Sequence, residues 1–521
     1  MRIFRAALAL CLCSAPAFAD EPPPPAAIVV PAPPPAPVVA SQETNTSVQL
    51  MSLRVMRDKG ILSQAEYESA LKDLGDSVGG KAADSLSLVL GKFSTTVYGF
   101  VELDGIWDST QSLTEVPGNT QIARQDVGAS GYAGNNARLQ MTVRNSRLGF
   151  RMRAPEYHDV RASAVFETDL VGNQPTTVSE GSFYANAGLR VRHAYLKLET
   201  PIVDLLFGQT WRLFGWQNTY HPNTVEIQGV PGEIYSRTPQ IRLSKTVKTD
   251  AVTFEIAIAA LRPDGRDSGM PEGEGGLRLA VNKWTSPSTG GSTGTSIQPL
   301  SIAVTGNVRQ LSEAQFAAKP VNATTAMGWG VAVDAFIPIV PGTKEKMGNS
   351  LAINAEVADG MGIADVYTSL NGGFQNAPLP DATQTYAPTS GLLDSGLAVY
   401  DAKGVLHPIG WMSYLVGIQY YTPINNGRVW VSANYSHMSL QNASEVNAIA
   451  DPTATNGTLG AKARSALDWF DANLFWDATP AVRFGLEYAH TQDTWVQPDK
   501  AMPPQTTGVN HRVQFSAFYL F

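Results

Sequence analysis

Residues Gly508–Phe521 read GVNHRVQFSAFYLF, and the sequence ends on that last aromatic side chain. Every second residue back from Phe521 is Tyr519, Ala517, Phe515, Val513 and His511; the opposite face carries Leu520, Phe518, Ser516, Gln514 and Arg512. Period two is the period of a strand, because successive side chains point to opposite faces. From Val513 onward the first face is wholly apolar, while the second turns polar away from its end. As the edge of a soluble sandwich such a strand would invite aggregation. In a membrane it has a use: the last strand of a barrel pairs with the first, and its apolar face meets lipid. The stretch predicts a transmembrane β-barrel, with a soluble edge strand as the alternative.

Upstream, period-two runs recur from Phe93. Strands are expected at 94–107, 138–154, 158–171, 187–200, 202–212, 236–247, 250–262, 275–284, 299–310, 326–337, 350–359, 410–421, 427–438, 466–476, 481–492 and 508–521, sixteen in all. The connections alternate long and short. Loops 108–137, 172–186, 213–235, 360–409 and 439–465 alternate with tight turns such as Thr200-Pro201, Lys248-Thr249 and Asp477-Ala478-Thr479-Pro480. Short turns on one side and long loops on the other is how outer-membrane barrels are built. An even count puts both ends on the periplasmic side. Two connections, 285–298 and 338–349, are long for their side.

The faces separate cleanly. Val97, Val101, Leu103 and Trp107 oppose Thr96, Tyr98, Glu102 and Asp104; Val482, Phe484, Leu486 and Tyr488 oppose Arg483, Glu487 and Ala489. Sixteen strands enclose a lumen too wide to fill with side chains alone, so the polar face is the wet one. Trp107, Trp211, Trp329, Trp411, Trp476 and Tyr519 suit interfacial girdles. No run of ~18 apolar residues predicts a transmembrane helix, and the mean hydropathy of −0.10 is what alternating strands give.

The start of the chain reads differently. Residues 1–19 form a signal peptide, with Arg2 and Arg5, an apolar Ala6–Leu12 and the cleavage site Ala17-Phe18-Ala19. The only cysteines, Cys11 and Cys13, lie inside it, so the remainder has no disulfide or thiolate. Losing Arg2 and Arg5 moves the net charge from −8 to −10. Residues 20–46 are a proline-rich periplasmic linker, 47–75 a helical hairpin with an oligomerisation role, 76–92 a Gly/Ser linker and 93–521 the barrel domain. Within the hairpin, K-G-I-L-S-x-x-E-Y-E (Lys59–Glu68) resembles short modules at the start of some proteobacterial porins.

Charge is lopsided along the wall. Residues 138–248 hold 14 Lys/Arg against 9 Asp/Glu, a net of +5, whereas 350–521 hold 7 against 14, a net of −7. Arg144, Arg147, Arg151, Arg161, Arg190, Arg192, Arg212, Arg237 and Arg242 are the candidate pore-lining cations, with Glu167 and Asp169 balancing them. Arg147 and Arg151 share one parity opposite Leu148, Phe150 and Met152, and apolar parity flips between Val143 and Leu148, which suggests a bulge. A guanidinium facing lipid would cost ~2–4 kcal/mol, so these side chains belong in the lumen. There they form an anion path; pairing with the acids as mere wall structure is the alternative. Loop 213–235, with Trp216, Tyr220 and His221, is the candidate constriction loop, an ordinary surface loop being the other reading.

The motifs T-V-R-N-S-R-L-G-F (Thr142–Phe150), F-E-T-D-L (Phe166–Leu170), R-V-R-H-A-Y-L-K-L (Arg190–Leu198) and L-F-G-Q-T-W (Leu206–Trp211) together resemble the DcaP-type outer-membrane porins. That resemblance implies a homotrimer of sixteen-stranded channels in outer-membrane lipid of a Gram-negative cell, passing small anionic solutes such as dicarboxylates. The end at Phe521, with Tyr519, resembles the C-terminal strand that the barrel assembly machinery recognises. No cofactor, metal or nucleic acid is implied, and no catalytic residues: H-E-x-x-H and phosphate-binding loops are absent. Two alternatives stay within the porin class: a phosphate-type pore and an unselective one. Two lie outside it: a structural barrel contacting the cell wall through the N-terminal module, and an outer-membrane lipase, for which adjacent Ser436 and His437 are the only Ser/His neighbours.

Overall fold

The computed structural model describes residues 56, 87–90, 93–115, 122–124, 129–172, 188–217, 219–225, 229–263, 268–290, 294–315, 321–368, 397–400, 405–442, 464–496 and 505–521. The chain divides into two units, Met1–Ala83 and Asp84–Phe521. Of the first only Met56 is described, in a helix. The expected signal peptide, proline-rich linker and, apart from Met56, the helical hairpin lie outside the described residues, as does most of the 76–92 linker. One part of that linker is a strand: Ser87–Leu90 pairs antiparallel with Phe93–Thr96.

The second unit is a closed antiparallel barrel of sixteen strands. They are β1 (Phe93–Asp108), β2 (Arg138–Thr142, continued by Arg147–Arg153), β3 (Arg161–Gly172), β4 (Gly188–Glu199), β5 (Asp204–Trp211), β6 (Arg237–Lys248), β7 (Val252–Leu261) and β8 (Glu272–Ser288), followed by β9 (Ser296–Ala314), β10 (Ala323–Val340), β11 (Ser350–Met361), β12 (Gly410–Tyr421), β13 (Val429–Leu440), β14 (Arg464–Asp477), β15 (Val482–Trp495) and β16 (Thr507–Leu520). Each strand pairs with its sequence neighbour, and β16 closes on β1, Phe100 opposite Leu520 and Asp108 opposite Arg512. The expected strands are all present, and the connections alternate long and short except around β10, where 315–322 and 341–349 are of nearly equal length.

Side-chain alternation follows from the two solvents. Val101, Leu103 and Trp107 of β1 are exposed on the outer wall, while Glu102, Asp104 and Asp108 between them are buried inside. On β16, Val513, Phe515 and Tyr519 face out, and Arg512, Gln514 and Ser516 face in. In hydrocarbon no backbone donor or acceptor finds water, so a spanning sheet must have no open edge. Gly99 and Phe521 exchange the last two backbone hydrogen bonds of the seam, at 2.9 and 3.0 Å. Beyond Phe521, strand Ser87–Leu90 takes over the edge of β1.

Several expectations need correction. The long connections 285–298 and 338–349 shrink to 289–295 and 341–349, because β8, β9 and β10 run further than their hydrophobic cores. Ser, Thr and Pro residues disguise these extensions: Thr285 pairs with Pro299 and Pro287 with Ile297 past a register shift after Val281. The bulge expected in β2 is a full interruption over 143–146. There Asn145 Nδ2 donates to Asp104 Oδ2 at 2.8 Å, and Glu102 N–H donates to Ser146 Oγ at 3.0 Å, so side chains replace the missing ladder. Two girdle residues are not on the outer wall. Trp411 is wholly buried in the interior cluster with Phe214, Ile234 and Trp469, and Trp211 packs against Arg237 and Tyr235.

Deleting Phe521 removes both seam hydrogen bonds and one outward aromatic side chain. Gly99→Ala introduces a Cβ only 2.2 Å from the Arg147 carbonyl oxygen. Both variants are expected to lower the folded fraction recovered in membranes several-fold, read as heat-modifiable mobility on gels, with Phe521→Ala milder than the deletion. Wild-type recovery of both would contradict the seam's importance.

Candidate lumen site

The loop after β5 does not lie on the surface. It enters at Leu213 and Phe214, whose N–H groups donate to Glu274 Oε2 on β8 at 2.8 and 3.1 Å. Gly215 donates to Thr305 Oγ1 on β9 at 3.0 Å, and Tyr220 Oη to Ser301 Oγ at 2.9 Å. The Asn223 carbonyl takes Ser432 Oγ and Asn434 Nδ2 of β13, each at 2.8 Å. Val225 N–H reaches Asn473 Oδ1 of β14 at 2.9 Å, and Thr224 Oγ1 reaches Glu487 Oε2 of β15 at 2.5 Å. The chain returns with Ile234 N–H on Glu356 Oε1 of β11 at 2.9 Å. The described residues of this loop, 213–217, 219–225 and 229–235, therefore cross the interior from β5 to β15 and back. Inward Ser, Thr, Asn and Glu supply partners that a buried loop backbone must have. Room comes from glycines at inward positions: a Cβ at Gly276 would meet Trp216, at Gly330 Phe214 and at Gly485 Val225. Trp216 and Tyr220 are buried in this packing, and His221 is partly so.

A second loop joins it. Tyr235 N–H donates to the Val366 carbonyl at 2.8 Å, Thr368 N–H to Glu233 O at 2.9 Å and Gly232 N–H to Thr368 O at 3.0 Å, a short ladder inside the barrel. An ionic lattice pins both loops. Glu272 on β8 takes Arg212 Nη1 and Arg309 Nη2, each at 2.6 Å, Arg212 also meets Glu274 at 3.2 Å, and Arg309 Nη1 reaches Asp365 at 2.5 Å. All five side chains are buried. Glu272, Glu274, Arg309 and Asp365 escaped the sequence reading because they lie outside the arginine-dense stretch, Glu272 and Glu274 just ahead of the strand expected at 275–284.

The expected arginine row divides. Arg190 and Arg192 bind Asp169 at 2.6 and 3.1 Å, Arg192 also binds Glu167 at 2.8 Å, and Arg147 lies 3.5 Å from Glu167. Arg237 completes this group, its guanidinium 4.4 Å from the Trp211 ring and 5.3 Å from that of Tyr235. Arg151 shares the inward face of β2 with Arg147 and lies 3.9 Å over the Tyr98 ring. Arg242 donates to the Trp211 carbonyl at 2.6 Å. The remaining three stand elsewhere. Arg144 sits in the β2 interruption, paired with Glu115 at 2.5 Å; Arg161 is exposed near the short turn, 3.4 Å from Glu199; Arg212 belongs to the buried lattice. Two of these departures have a common cause: Arg144 and Arg161 sit at strand ends, where an acid of a neighbouring segment is nearer than the lumen centre.

Arg147, Arg190, Arg192 and Arg237 outnumber Glu167 and Asp169, and the field shows at the loop tip. Burial raises the Tyr235 phenol, but Arg192, Arg237, His221 and Arg147 outweigh it and bring it down to about 7. Burial lowers the His221 imidazole, and Glu233, 2.5 Å away, more than offsets this and raises it. The arrangement can hold an anion between fixed forks and a ring-lined loop. Ser436 and His437 form no catalytic pair: Ser436 donates inward to the Pro231 carbonyl, while His437 contacts Asp468 at 2.8 Å on the outer face.

Removing one partner from a buried ion group leaves an uncompensated charge, at a cost of ~3–5 kcal/mol. Glu272→Gln should therefore speed amide hydrogen exchange in 213–216 and 362–368, with β12–β16 unchanged. Equal exchange in wild type and variant would show that the lattice does not hold the loops.

No protein-family model matches the chain, and no curated protein does either. Among solved structures, the outer-membrane channel DcaP of Acinetobacter baumannii superposes with a TM-score of 0.56 at 17% identity, covering 83% of this chain and 99% of that one. OmpT of Vibrio cholerae gives 0.44 at 9% identity over 84% of this chain and all of its own. An anion-selective porin from Comamonas acidovorans gives 0.43 at 11%, over 82% and 100%. The chain thus has a porin fold: its sixteen-stranded barrel superposes on the DcaP channel.

Proposed function

We propose that this protein is an outer-membrane porin through which small anions diffuse passively, organic acids such as dicarboxylates foremost. One observation carries the reading: Arg147, Arg190, Arg192 and Arg237 gather around only two carboxylates on the wall that the inward loop faces. Fixed guanidinium groups in a confined, low-dielectric passage concentrate anions despite a net charge of −8 on the whole chain. A dicarboxylate can meet two forks at once, and each charge-assisted contact adds ~1.5–3 kcal/mol. In this reading loop 213–235 sets the pore's width, with Trp216 and Tyr220 anchoring it and His221 near its opening. The long loops face outward and both ends are periplasmic. The barrel is a homotrimer inserted by the barrel assembly machinery through Phe521 and Tyr519, and the N-terminal module serves as a cell-wall contact. The two acids that already bind Arg190 and Arg192 favour one rival, an unselective pore with a neutralised wall.

Reversal potentials in a salt gradient decide between them. Arg147→Ala with Arg151→Ala should shift selectivity toward cations and weaken block by succinate more than block by acetate. An unchanged reversal potential would return the protein to the unselective class. A pH effect follows from Tyr235. Below pH 7 its phenol is neutral and above it ionises, adding a negative charge among the arginines. Anion preference should therefore fall as pH rises through about 7, and Tyr235→Phe should flatten that fall. A slope that survives in Tyr235→Phe assigns the titration to another group.

A further inference from the structure

We infer that the lumen wall on the short-turn side of the arginine cluster is a subsite for planar, conjugated carboxylates, a narrower class than small anions. This rests on the anion-porin reading and refines it. Tyr98 lies flat against the wall over Gly149: a Cβ there would fall 2.3 Å from the tyrosine Cζ. Its hydroxyl is tied to Glu167 Oε2 at 2.9 Å, which fixes the ring. The Arg151 guanidinium rests on that ring at 3.9 Å. Arg151 is exposed, and among the described residues no carboxylate pairs with it.

An aromatic ring beneath a guanidinium holds it in one plane. A bidentate carboxylate then lies in the same plane. An acid bound to the open edge of Arg151 is thereby laid along the wall. What it meets there is set by register. Arg151 faces Val165 on β3, and Val165 faces Tyr195 on β4. Val165 and Tyr195 are half-buried, on the inward face. Neighbouring strands lie ~4.8 Å apart, so Tyr195 stands ~10 Å from Arg151 along the wall. That span fits a carboxylate on Arg151 and a conjugated body lying over Val165 against the Tyr195 ring. A puckered, saturated acid of equal charge reaches the same fork but cannot lie flat against the ring.

The test compares benzoate with cyclohexanecarboxylate, alike in charge and near in size, as blockers of chloride current through single channels of the full-length protein. Ring stacking of this kind, ~0.5–1.5 kcal/mol, corresponds to dwell times about two- to twelve-fold longer for benzoate. Tyr195→Leu should bring the ratio to one. Arg151→Lys keeps a charge but loses the planar fork, so it should lower the ratio as well, and it serves if Tyr195→Leu fails to assemble. Equal dwell times in wild type, or a ratio unchanged in the variants, would overturn the inference while leaving an anion-selective reversal potential intact. A wild-type pore that prefers cations would instead overturn the porin reading on which it rests.

Discussion

The demand that every backbone donor and acceptor in hydrocarbon find a partner fixes most of this molecule. It forces the sheet to close, and closure is achieved residue by residue between β1 and β16, ending at the Gly99–Phe521 exchange. Closure with sixteen strands sets a diameter that wall side chains cannot fill. The interior must then be water or folded chain. Here it is both: the described residues of the loop after β5, with 361–368, occupy much of the β8–β15 half, and the basic wall of β2–β6 faces what remains.

Electrostatics inside the barrel is organised at two depths. The Glu272 lattice is buried and paired, and its role is to hold loops. The group around Glu167 and Asp169 has more guanidinium than carboxylate and includes partly exposed members, Arg190 and Arg147. The same residue type thus serves two purposes, separated by whether an acid is supplied for each arginine. Aromatic rings do a third job: Tyr98, Phe100 and Trp211 each lie under a guanidinium and orient it without neutralising it.

The barrel was legible because its signal is local. Period-two alternation and turn chemistry mark each strand, so even β5, short and glycine-containing, falls where 202–212 was expected. Strand ends were harder, since Pro287 and Pro299 look like breakers yet sit in register at β8 and β9. The site was half legible. Parity placed Arg147 and Arg151 inward, but parity cannot say which acid reaches which arginine. Arg212 reaches Glu272, and Asp365 reaches Arg309, only because loops fold in from two distant points of the chain. One signal did exist for the loop's path. Gly276, Gly330 and Gly485 all fall on inward positions, where a wall facing only water would have no need of missing side chains.

The central claim is that the arginine face of β2 lines a conducting water path. Cysteine substitution along that strand tests it most directly, in a chain whose only cysteines are Cys11 and Cys13. Single cysteines at Arg147, Leu148, Phe150, Arg151 and Met152 would be exposed to a negatively charged methanethiosulfonate while current is recorded. The account predicts a stepwise loss of current at 147 and 151 and none at 148, 150 and 152. Reaction without alternation, or modification at 147 and 151 that leaves the current unchanged, would contradict it.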